Sequence, residues 1–448
     1  MSKNMQEHSL NWSNAYMGRI EKKSANNTHN IEYLTSRLKQ ELNKLPFLNM
    51  SYREKLEEDL IKFLPSCLSY EHMLVLGIGG SALGARALQK AFASGQDSPN
   101  HTGPWLWILD NVCSQTLESW LDKLPAEKTI VVCISKSGGT IETIAQYFLV
   151  SAWLQKKLTS AWTRHMLVIT DAHKGFLREQ CHEYNFLSLE VPDNLGGRYS
   201  ALSAVGLLPA AFLGIDWQGL LNGASKVATS LLSNIQSLHT VPAYNIAEWA
   251  LELEKKQYAE LIFFSYIPMW ASFGDWFMQL WAESLGKDGK GLMPIAATGV
   301  SDQHSLQQMF LDGPKNKACL FLSCQNIQSK YSFNMSLPEQ WSWLQNKNFA
   351  ELLKAESLGT RMAFSKNNIP LLHLDMADTT TEAAGSLMML LEITTLFTGW
   401  LMQINPLDQP AVELGKRLAN ARLGAPNLEK EKKELQVYQN ISQERQLF

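Results

Sequence analysis

The chain has 448 residues, of which 45% are hydrophobic, with a formal net charge of −3 and six cysteines. This length exceeds one ordinary hydrophobic core, so we expect two domains or one large α/β unit. The charge balance excludes a polybasic surface for nucleic acid or anionic lipid. The cysteines are scattered without a C-x-x-C pair, which is typical of reduced thiols in a cytoplasmic protein.

Residues 1–68 are polar and lysine-rich, with apolar residues at helical spacing, and predict a helical N-terminal segment. The first residues lack the apolar core of a signal peptide, so we expect no secretion. From residue 69, short apolar runs alternate with helix-length segments, which is typical of a parallel sheet with crossover helices. The predicted strands form two sets, residues 73–76, 106–109, 129–134 and 165–170, followed by 261–266, 292–296, 318–323 and 371–374.

The two sets of strands predict an α/β protein with two units. One stretch, residues 385–404, is nearly long and apolar enough to cross a membrane, but it carries Glu392 at its centre. We therefore expect a buried helix there and no membrane span. The predicted boundaries are 69–218 for the first α/β domain, 219–254 for a helical connection, 255–415 for the second α/β domain and 416–448 for a helical C-terminal segment.

Two predicted strands run into loops of glycine and hydroxyl residues, GIGGSALGARAL from Gly77 and SKSGGTIET from Ser135. Each loop predicts a strand, a tight turn and a helix start, which together direct backbone N–H groups toward an anion. Neither has the spacing of a nucleotide P-loop, and the dinucleotide pattern fails at Ala82. The loops favour a terminal phosphomonoester, although each alone could be a plain turn between strand and helix. The hydroxyl groups that would hold the phosphate belong to Ser81, Ser135, Ser137 and Thr140.

Four further polar residues stand in apolar or glycine-rich surroundings. Arg198 could stabilise an oxyanion, and Glu283, at the end of an aromatic-rich predicted helix, could act as a general base because apolar surroundings raise the proton affinity of a carboxylate. His304, on a turn before a helix, could exchange a proton near neutral pH, and Lys416 follows Gly415 on a predicted helix. Each of the four alone is as well explained by a structural role.

Taken together, these segments resemble the glucose-6-phosphate isomerase (phosphoglucose isomerase) family, particularly its short bacterial form. The resemblance spans about three quarters of the chain, although the SKSGGT-type loop alone is shared by many sugar isomerase (SIS) domains. It implies two SIS domains, each a three-layer αβα arrangement with a mainly parallel sheet, flanked by helical terminal segments. The matching blocks, in the family's order, are GIGGSALGARAL from Gly77, ISKSGGTIET from Ile134, GGRYSALSAVGLLP from Gly196, AESLGKDGKG from Ala282, DQHSLQQ from Asp302 and NPLDQPAVELGK from Asn405.

The resemblance also implies roles for individual residues. Glu283 would move a proton between C1 and C2 of the sugar through a cis-enediol(ate), and Arg198 would stabilise the enediolate. His304 and Lys416 would open the sugar ring, and since the family's histidine comes from the neighbouring subunit, a homodimer is implied. No metal or redox cofactor is implied. The residues implied to bind the substrate are Gly79, Gly80, Ser81, Ser135, Lys136, Ser137, Thr140, Gln279 and Gln409.

The implied activity is the reversible isomerisation of glucose 6-phosphate and fructose 6-phosphate in glycolysis and gluconeogenesis. Leu285, Gln303 and Ala411 depart from the family's usual residues, which leaves substrate preference open. One alternative is a broader aldose–ketose isomerase that also accepts mannose 6-phosphate. The other is a non-catalytic SIS sensor that binds a sugar phosphate and regulates a partner.

Overall fold

A computed structural model describes residues 7–21 and 27–441 of the chain. Within these residues the strands are β1 (Ser9–Asn14), β2 (His72–Leu76), β3 (Trp105–Leu109), β4 (Thr129–Ser135), β5 (Met166–Asp171), β6 (Leu187–Val191), β7 (Glu260–Ser265), β8 (Met293–Thr298), β9 (Lys317–Cys324) and β10 (Leu371–Met376). The α-helices are α1 (Thr28–Glu41), α2 (Met50–Cys67), α3 (Leu83–Phe92), α4 (Ser114–Lys123), α5 (Ile141–Leu158), α6 (Phe176–Tyr184), α7 (Ala204–Phe212), α8 (Trp217–Ser233), α9 (Pro242–Lys255), α10 (Ala271–Leu285), α11 (Gln307–Asp312), α12 (Phe349–Lys366), α13 (Thr381–Leu401), α14 (Val412–Arg422) and α15 (Glu429–Ile441).

The strands form two five-stranded sheets. The first has the order β3-β2-β4-β5-β6 and is parallel throughout. The second has the order β1-β10-β9-β7-β8 and is parallel except for β1, which pairs antiparallel with β10. Strand β4 is buried at every residue, as expected for a parallel strand covered on both faces. The prediction of an α/β fold with two mainly parallel sheets is confirmed.

Two strands were absent from the sequence prediction. Strand β6 is short and partly exposed, so it lacks the continuous apolar run that marked its neighbours. Strand β1 lies in the segment predicted to be helical, and that prediction was wrong for its six residues. Its residues alternate between exposed and half-buried because β1 is the edge strand of the second sheet. Helices α1 and α2, with two short 3-10 turns between them, form the rest of that segment's regular structure within the described residues.

Helix α13 is the apolar stretch that could be mistaken for a membrane span. It is long and apolar enough to cross a membrane by length and composition, but 94% of its most apolar window is buried inside the protein. It packs closely on α8, where a Cβ on Gly223 would lie 1.9 Å from the carbonyl oxygen of Glu382 and a Cβ on Gly385 would lie 1.9 Å from that of Leu220. The prediction of a buried helix is confirmed.

Glu392 lies fully buried in the middle of α13. Burial raises the pKa of this carboxyl group well above its ordinary value, and the nearby Arg53 guanidinium opposes that shift only in part. Arg53 is itself buried and donates hydrogen bonds to Ser225 Oγ (2.6 Å) and to the carbonyl oxygen of Phe47 (2.7 Å). The raised pKa favours a neutral Glu392, which reduces the cost of placing this residue in an apolar helix.

The described chain divides into two compact units, one ending at Pro406 and the other beginning at Leu407. Both sheets lie in the first unit. The second unit contains α14 and α15, which are joined by a hydrogen bond from Arg417 Nε to Glu431 Oε1 (2.7 Å). Helices α8 and α9 occupy the segment predicted as a helical connection. The predicted domain boundaries stay a prediction.

Candidate active site

The first glycine-rich loop follows β2 and leads into α3, as the sequence predicts. Gly79 has a φ of +55°, a left-handed conformation that favours glycine, and Gly79–Ser81 form a single 3-10 turn. Strands β2 and β4 are neighbours, with Leu76 paired to Cys133. A Cβ on Gly77 would therefore lie 3.3 Å from the carbonyl oxygen of Ile134, so the two glycine-rich loops begin side by side at the carboxyl ends of adjacent strands.

The second loop connects β4 to α5 and brings two predicted phosphate ligands together. The Ser135 and Thr140 hydroxyl groups share a hydrogen bond of 3.0 Å. Gly138, with a φ of +63°, makes the turn, and its N–H donates to the carbonyl oxygen of Ser135 (3.0 Å). Ser137 is exposed beside them. Thr140 immediately precedes the first turn of α5, whose unpaired N–H groups and dipole favour an anion.

Lys136 lies half-buried between these loop residues. Its carbonyl oxygen accepts a hydrogen bond from the backbone N–H of Asp171 (3.1 Å), which fixes the loop against the end of β5. Burial lowers the pKa of the Lys136 ammonium, while the nearby carboxylates of Asp193 and Asp171 oppose that shift. The residue thus adds a partly desolvated positive charge to the second loop.

Arg198 is the most tightly held residue of the candidate site. Its side chain is 1% exposed. The guanidinium donates to Ser284 Oγ (2.7 Å), to Glu283 Oε2 (3.3 Å) and to the carbonyl oxygen of Pro406 (2.6 Å). A buried guanidinium without such acceptors would be costly, so these three groups fix its position.

Glu283 lies near the C-terminal end of α10 and is held from two sides. Its Oε1 accepts from Gln279 Nε2 (3.0 Å), one helical turn earlier, and its Oε2 accepts from Arg198. The Glu283 side chain is 33% exposed, whereas the neighbouring Ser284 and Leu285 are fully buried. One face of the end of α10 thus presents an accessible carboxylate, while the other anchors the helix in the core.

The first loop packs directly on this carboxylate cluster. A Cβ on Gly79 would lie 2.8 Å from Gln279 Nε2. A Cβ on Gly80 would lie 2.3 Å from the carbonyl carbon of Gly197, the residue before Arg198. Close approach to backbone therefore requires glycine at position 80, and the left-handed φ favours it at position 79. The packing of this turn joins the predicted phosphate loop, Gln279, Glu283 and Arg198 in one site.

His304 lies at the end of a 3-10 turn, Ser301–His304, that follows β8. The ring is exposed, and none of its contacts among the described residues joins it to Glu283 or Arg198. The turn is held by Asp302, whose Oδ2 accepts from the Thr298 N–H (2.7 Å). Gln303, a departure from the family's usual residue, accepts from the buried Tyr266 hydroxyl and donates to Glu356 Oε2 (3.0 Å). These polar partners account for a glutamine beside His304.

Gln409 and Lys416 belong to the second compact unit, beginning at Leu407. Lys416 lies on α14, as predicted, and its ammonium pairs with Glu413 Oε1 at 2.8 Å with both side chains more than half exposed. The predicted roles of Gln409 and Lys416 stay predictions.

Sequence reasoning missed two groups that hold Arg198. Ser284 adjoins Glu283 in one of the matching blocks, and its hydroxyl also lies 3.2 Å from the Tyr199 hydroxyl. Its position next to Glu283 was the one feature of the sequence that could have indicated a role for Ser284. The carbonyl oxygen of Pro406 is a backbone acceptor more than two hundred residues away along the chain, and no side-chain pattern could have indicated it.

Comparison with known proteins identifies the family of this chain. The family described as phosphoglucose isomerase matches residues 66–440. This chain belongs to the phosphoglucose isomerase family. A relative named as a probable glucose-6-phosphate isomerase of Methanococcus maripaludis is 33% identical over 366 residues, which cover 82% of this chain and 81% of the relative. A relative in Thermus thermophilus, named glucose-6-phosphate isomerase, is 35% identical over 364 residues, covering 79% and 84%.

Solved structures share the fold of this chain. A hypothetical protein from Thermus thermophilus, TT0462, has 32% identity and a TM-score of 0.79, with 88% of this chain and 95% of that chain covered. A glucose-6-phosphate isomerase from Chlamydia trachomatis has a TM-score of 0.71 at 22% identity, covering 86% and 77%, and supports the fold alone. The family and the SIS-type fold expected from the sequence are confirmed, and the chain is an isomerase of this family.

The described residues contain no group of three or more histidine, cysteine, aspartate or glutamate side chains that could hold a metal ion. The expectation that this phosphoglucose isomerase family member works without a metal or redox cofactor stays an expectation.

The contact between Gly80 and Gly197 gives a direct test of the site. We expect Gly80→Ala to push the Gly197–Arg198 turn away from Glu283, which should lower isomerase activity and destabilise the fold by about 1–3 kcal/mol, since the new methyl group meets backbone and not a flexible side chain. Steady-state assays and chemical denaturation measure both effects. The matched control is Gly359→Ala on α12, where the new Cβ would have no described atom within 4 Å beyond its chain neighbours and the adjacent backbone of its own helix. Equal behaviour of the two variants would contradict the close packing.

Proposed function

We propose that this chain interconverts glucose 6-phosphate and fructose 6-phosphate with Glu283 as the base that carries the proton. The observation that supports this assignment most strongly is the Glu283 carboxylate, held between Arg198 and Gln279 beside the Gly79–Gly80 turn. The carboxylate is accessible enough to meet a substrate, and its two hydrogen bonds limit its movement.

The phosphate group is anchored by the two glycine-rich loops. Ser81, Ser135, Ser137 and Thr140 supply hydroxyl groups, and Lys136 adds its charge and its backbone N–H. The first turn of α5 adds an N-terminal dipole that favours the dianion. The phosphate group is bound but does not react. Its binding energy therefore serves to hold the reacting carbons against Glu283.

The proton transfer needs one base and one positive charge. Glu283 removes the proton from C2 of the open-chain aldose, and the electron pair of the C–H bond moves toward the carbonyl oxygen at C1 to give an enediolate. Arg198 stabilises the negative oxygen, since a fixed guanidinium stays charged and needs little reorganisation. Return of the proton from Glu283 to C1, with a proton passing from O2 to O1, completes the ketose. The reverse sequence regenerates the aldose.

Ring opening is assigned to His304 and Lys416, one near O5 and the other near O1 of the sugar. We place His304 in the site of the neighbouring subunit of a homodimer, and its exposed position on a short turn supports that placement. Gln279 and Gln409 complete the substrate contacts. We also propose a cytoplasmic location, which the six free cysteines support.

The base assignment predicts the behaviour of Glu283→Gln. The amide keeps the size of the side chain and a hydrogen bond to Arg198 but cannot take a proton, so kcat should fall by about 10²–10⁴-fold. Binding of the sugar phosphate should be nearly unchanged because the phosphate loops are intact. A coupled assay from fructose 6-phosphate to glucose 6-phosphate and a separate binding titration measure the two effects.

A matched control for this test is Glu118→Gln, the same substitution at an exposed residue of α4. It should retain full activity. Undiminished turnover in Glu283→Gln would remove Glu283 from the mechanism. Parallel assays with mannose 6-phosphate test the broader isomerase, which equal activity on both aldoses would favour, and binding without any isomerisation would favour the sensor.

The shared site predicts complementation between two inactive variants. In a mixed dimer of Glu283→Gln and His304→Ala, one site has both substituted residues and the other has both native residues. Random pairing of equal amounts should therefore restore about a quarter of wild-type activity, because half of the dimers carry one complete site. The measurement is activity after the two variants are unfolded and refolded together, compared with each refolded alone. No gain on mixing would contradict a histidine supplied across the interface.

A further inference from the structure

A cavity of about 400 Å³ lies in the second sheet, apart from the residues assigned above. Ser323 and Asp375 line it from the carboxyl ends of β9 and β10, and Ser9 and Asn11 line it from the edge strand β1. Helix α12 forms another wall. In open α/β sheets the carboxyl ends of the strands are where ligands bind, so this cavity occupies the position in the second sheet that the phosphate loops occupy in the first.

A chain of hydrogen bonds runs along the cavity from Arg361 to Asp375, and each group in it donates to the next. Arg361 NH1 lies 3.1 Å from His373 Nδ1, and since a guanidinium only donates, Nδ1 accepts. Burial and the Arg361 charge lower the pKa of His373 to about 4, so the ring is neutral and carries its proton on Nε2. That N–H donates to Ser323 Oγ (2.7 Å), which donates to Asp375 Oδ1 (2.5 Å).

This direction excludes a serine nucleophile despite the presence of serine, histidine and aspartate. In a catalytic triad the imidazole accepts the proton of the serine hydroxyl. Here the imidazole donates to Ser323, and the Arg361 charge opposes protonation of the ring. The network is therefore a rigid support that holds Arg361 at one end and Asp375 at the other.

The α12 wall carries the positive charge of the cavity. Lys354, Ser357 and Arg361 line it and share one helix face, because residues three, four and seven apart align on a helix. Lys354 and Arg361 are about 10 Å apart along the axis, within joint reach of one ligand through their long side chains. Neither forms an ion pair within 4 Å of a carboxylate in the described part of the chain.

One N–H group of the Arg361 guanidinium makes no hydrogen bond within the described residues. This group is the Nε–H, and it is buried. Buried donors are almost always paired, so the protein leaves this guanidinium without its full set of acceptors. Burial lowers the pKa of the Arg361 guanidinium, and the nearby Asp375 carboxylate opposes that shift.

We propose that this cavity is a second anion site, which binds the phosphate group of a small molecule between Lys354 and Arg361 on α12. Guanidinium and ammonium groups are the usual phosphate partners in proteins, and the Ser357 hydroxyl between them adds a donor. Asp375, Ser9 and Asn11 on the opposite wall accept and donate hydrogen bonds to the hydroxyl groups of a phosphate ester.

Equilibrium dialysis of the full chain against radiolabelled inorganic phosphate tests this proposal. Wild type should bind about two phosphates per chain at saturation, since each anion site takes one phosphate group. Lys354→Glu should bind one, and Arg361→Gln should also bind one. The matched control is Lys366→Glu, the same charge reversal at an exposed residue of α12 outside the cavity, which should still bind two.

The outcomes separate this site from the phosphate loops. Ser135→Ala with Thr140→Ala should remove the phosphate held by the loops and leave the one on α12, so each site is tested by the loss that its own variant causes relative to wild type. In the Ser135→Ala and Thr140→Ala variant, displacement of the remaining label by glycerol 3-phosphate as well as by unlabelled phosphate would identify an ester as the ligand class of the cavity, and displacement by phosphate alone would identify the free ion. A Lys354→Glu variant that binds as many phosphates as wild type would overturn the proposal, whatever the total number bound. Lys354 is exposed, so its substitution tests the site even if Arg361→Gln fails to fold.

Discussion

The candidate active site depends on the buried guanidinium of Arg198. A positive charge with only 1% of its side chain exposed must have acceptors on every side, and this one uses Ser284, Glu283 and the carbonyl oxygen of Pro406. These acceptors come from the end of α10 and from the last residue of the first compact unit. One charge thereby fixes the position of the carboxylate that, in our proposal, moves the substrate proton.

The two parallel sheets explain why such a site can form. Parallel strands place their carboxyl ends along one edge, so the loops after β2 and β4 begin side by side. The absence of a side chain at Gly80 then lets the first loop approach the backbone of Gly197. The first glycine-rich loop and the segment that holds the Glu283 carboxylate are thus joined through backbone contact. The second sheet presents its own edge in the same way, where the Arg361–Asp375 network lines a cavity of different chemistry.

Much of this arrangement could be predicted from the sequence, because buried parallel strands are continuous apolar runs. Eight of the ten strands in the described residues followed from that signal, and the matching blocks indicated the family. The half-exposed strands β1 and β6 lack such runs, so no local pattern marked them. The Gly80–Gly197 approach and the Pro406 acceptor join residues far apart along the chain, and only the folded structure brings them together. Ser284 lay beside Glu283 in a matching block, yet its burial against Arg198 depends on how α10 docks.

In our proposal a single partly exposed carboxylate carries the proton between two carbons of the sugar. The most direct measurement is isomerisation of fructose 6-phosphate by the wild-type enzyme in deuterium oxide, with the glucose 6-phosphate product analysed by proton NMR. Because the Glu283 side chain is 33% exposed, its proton should exchange with solvent during some turnovers, and part of the product should carry deuterium at C2. Product that forms with no deuterium at C2 would contradict proton transfer through a partly exposed Glu283, because a proton held by such a carboxylate should exchange with solvent in at least some turnovers.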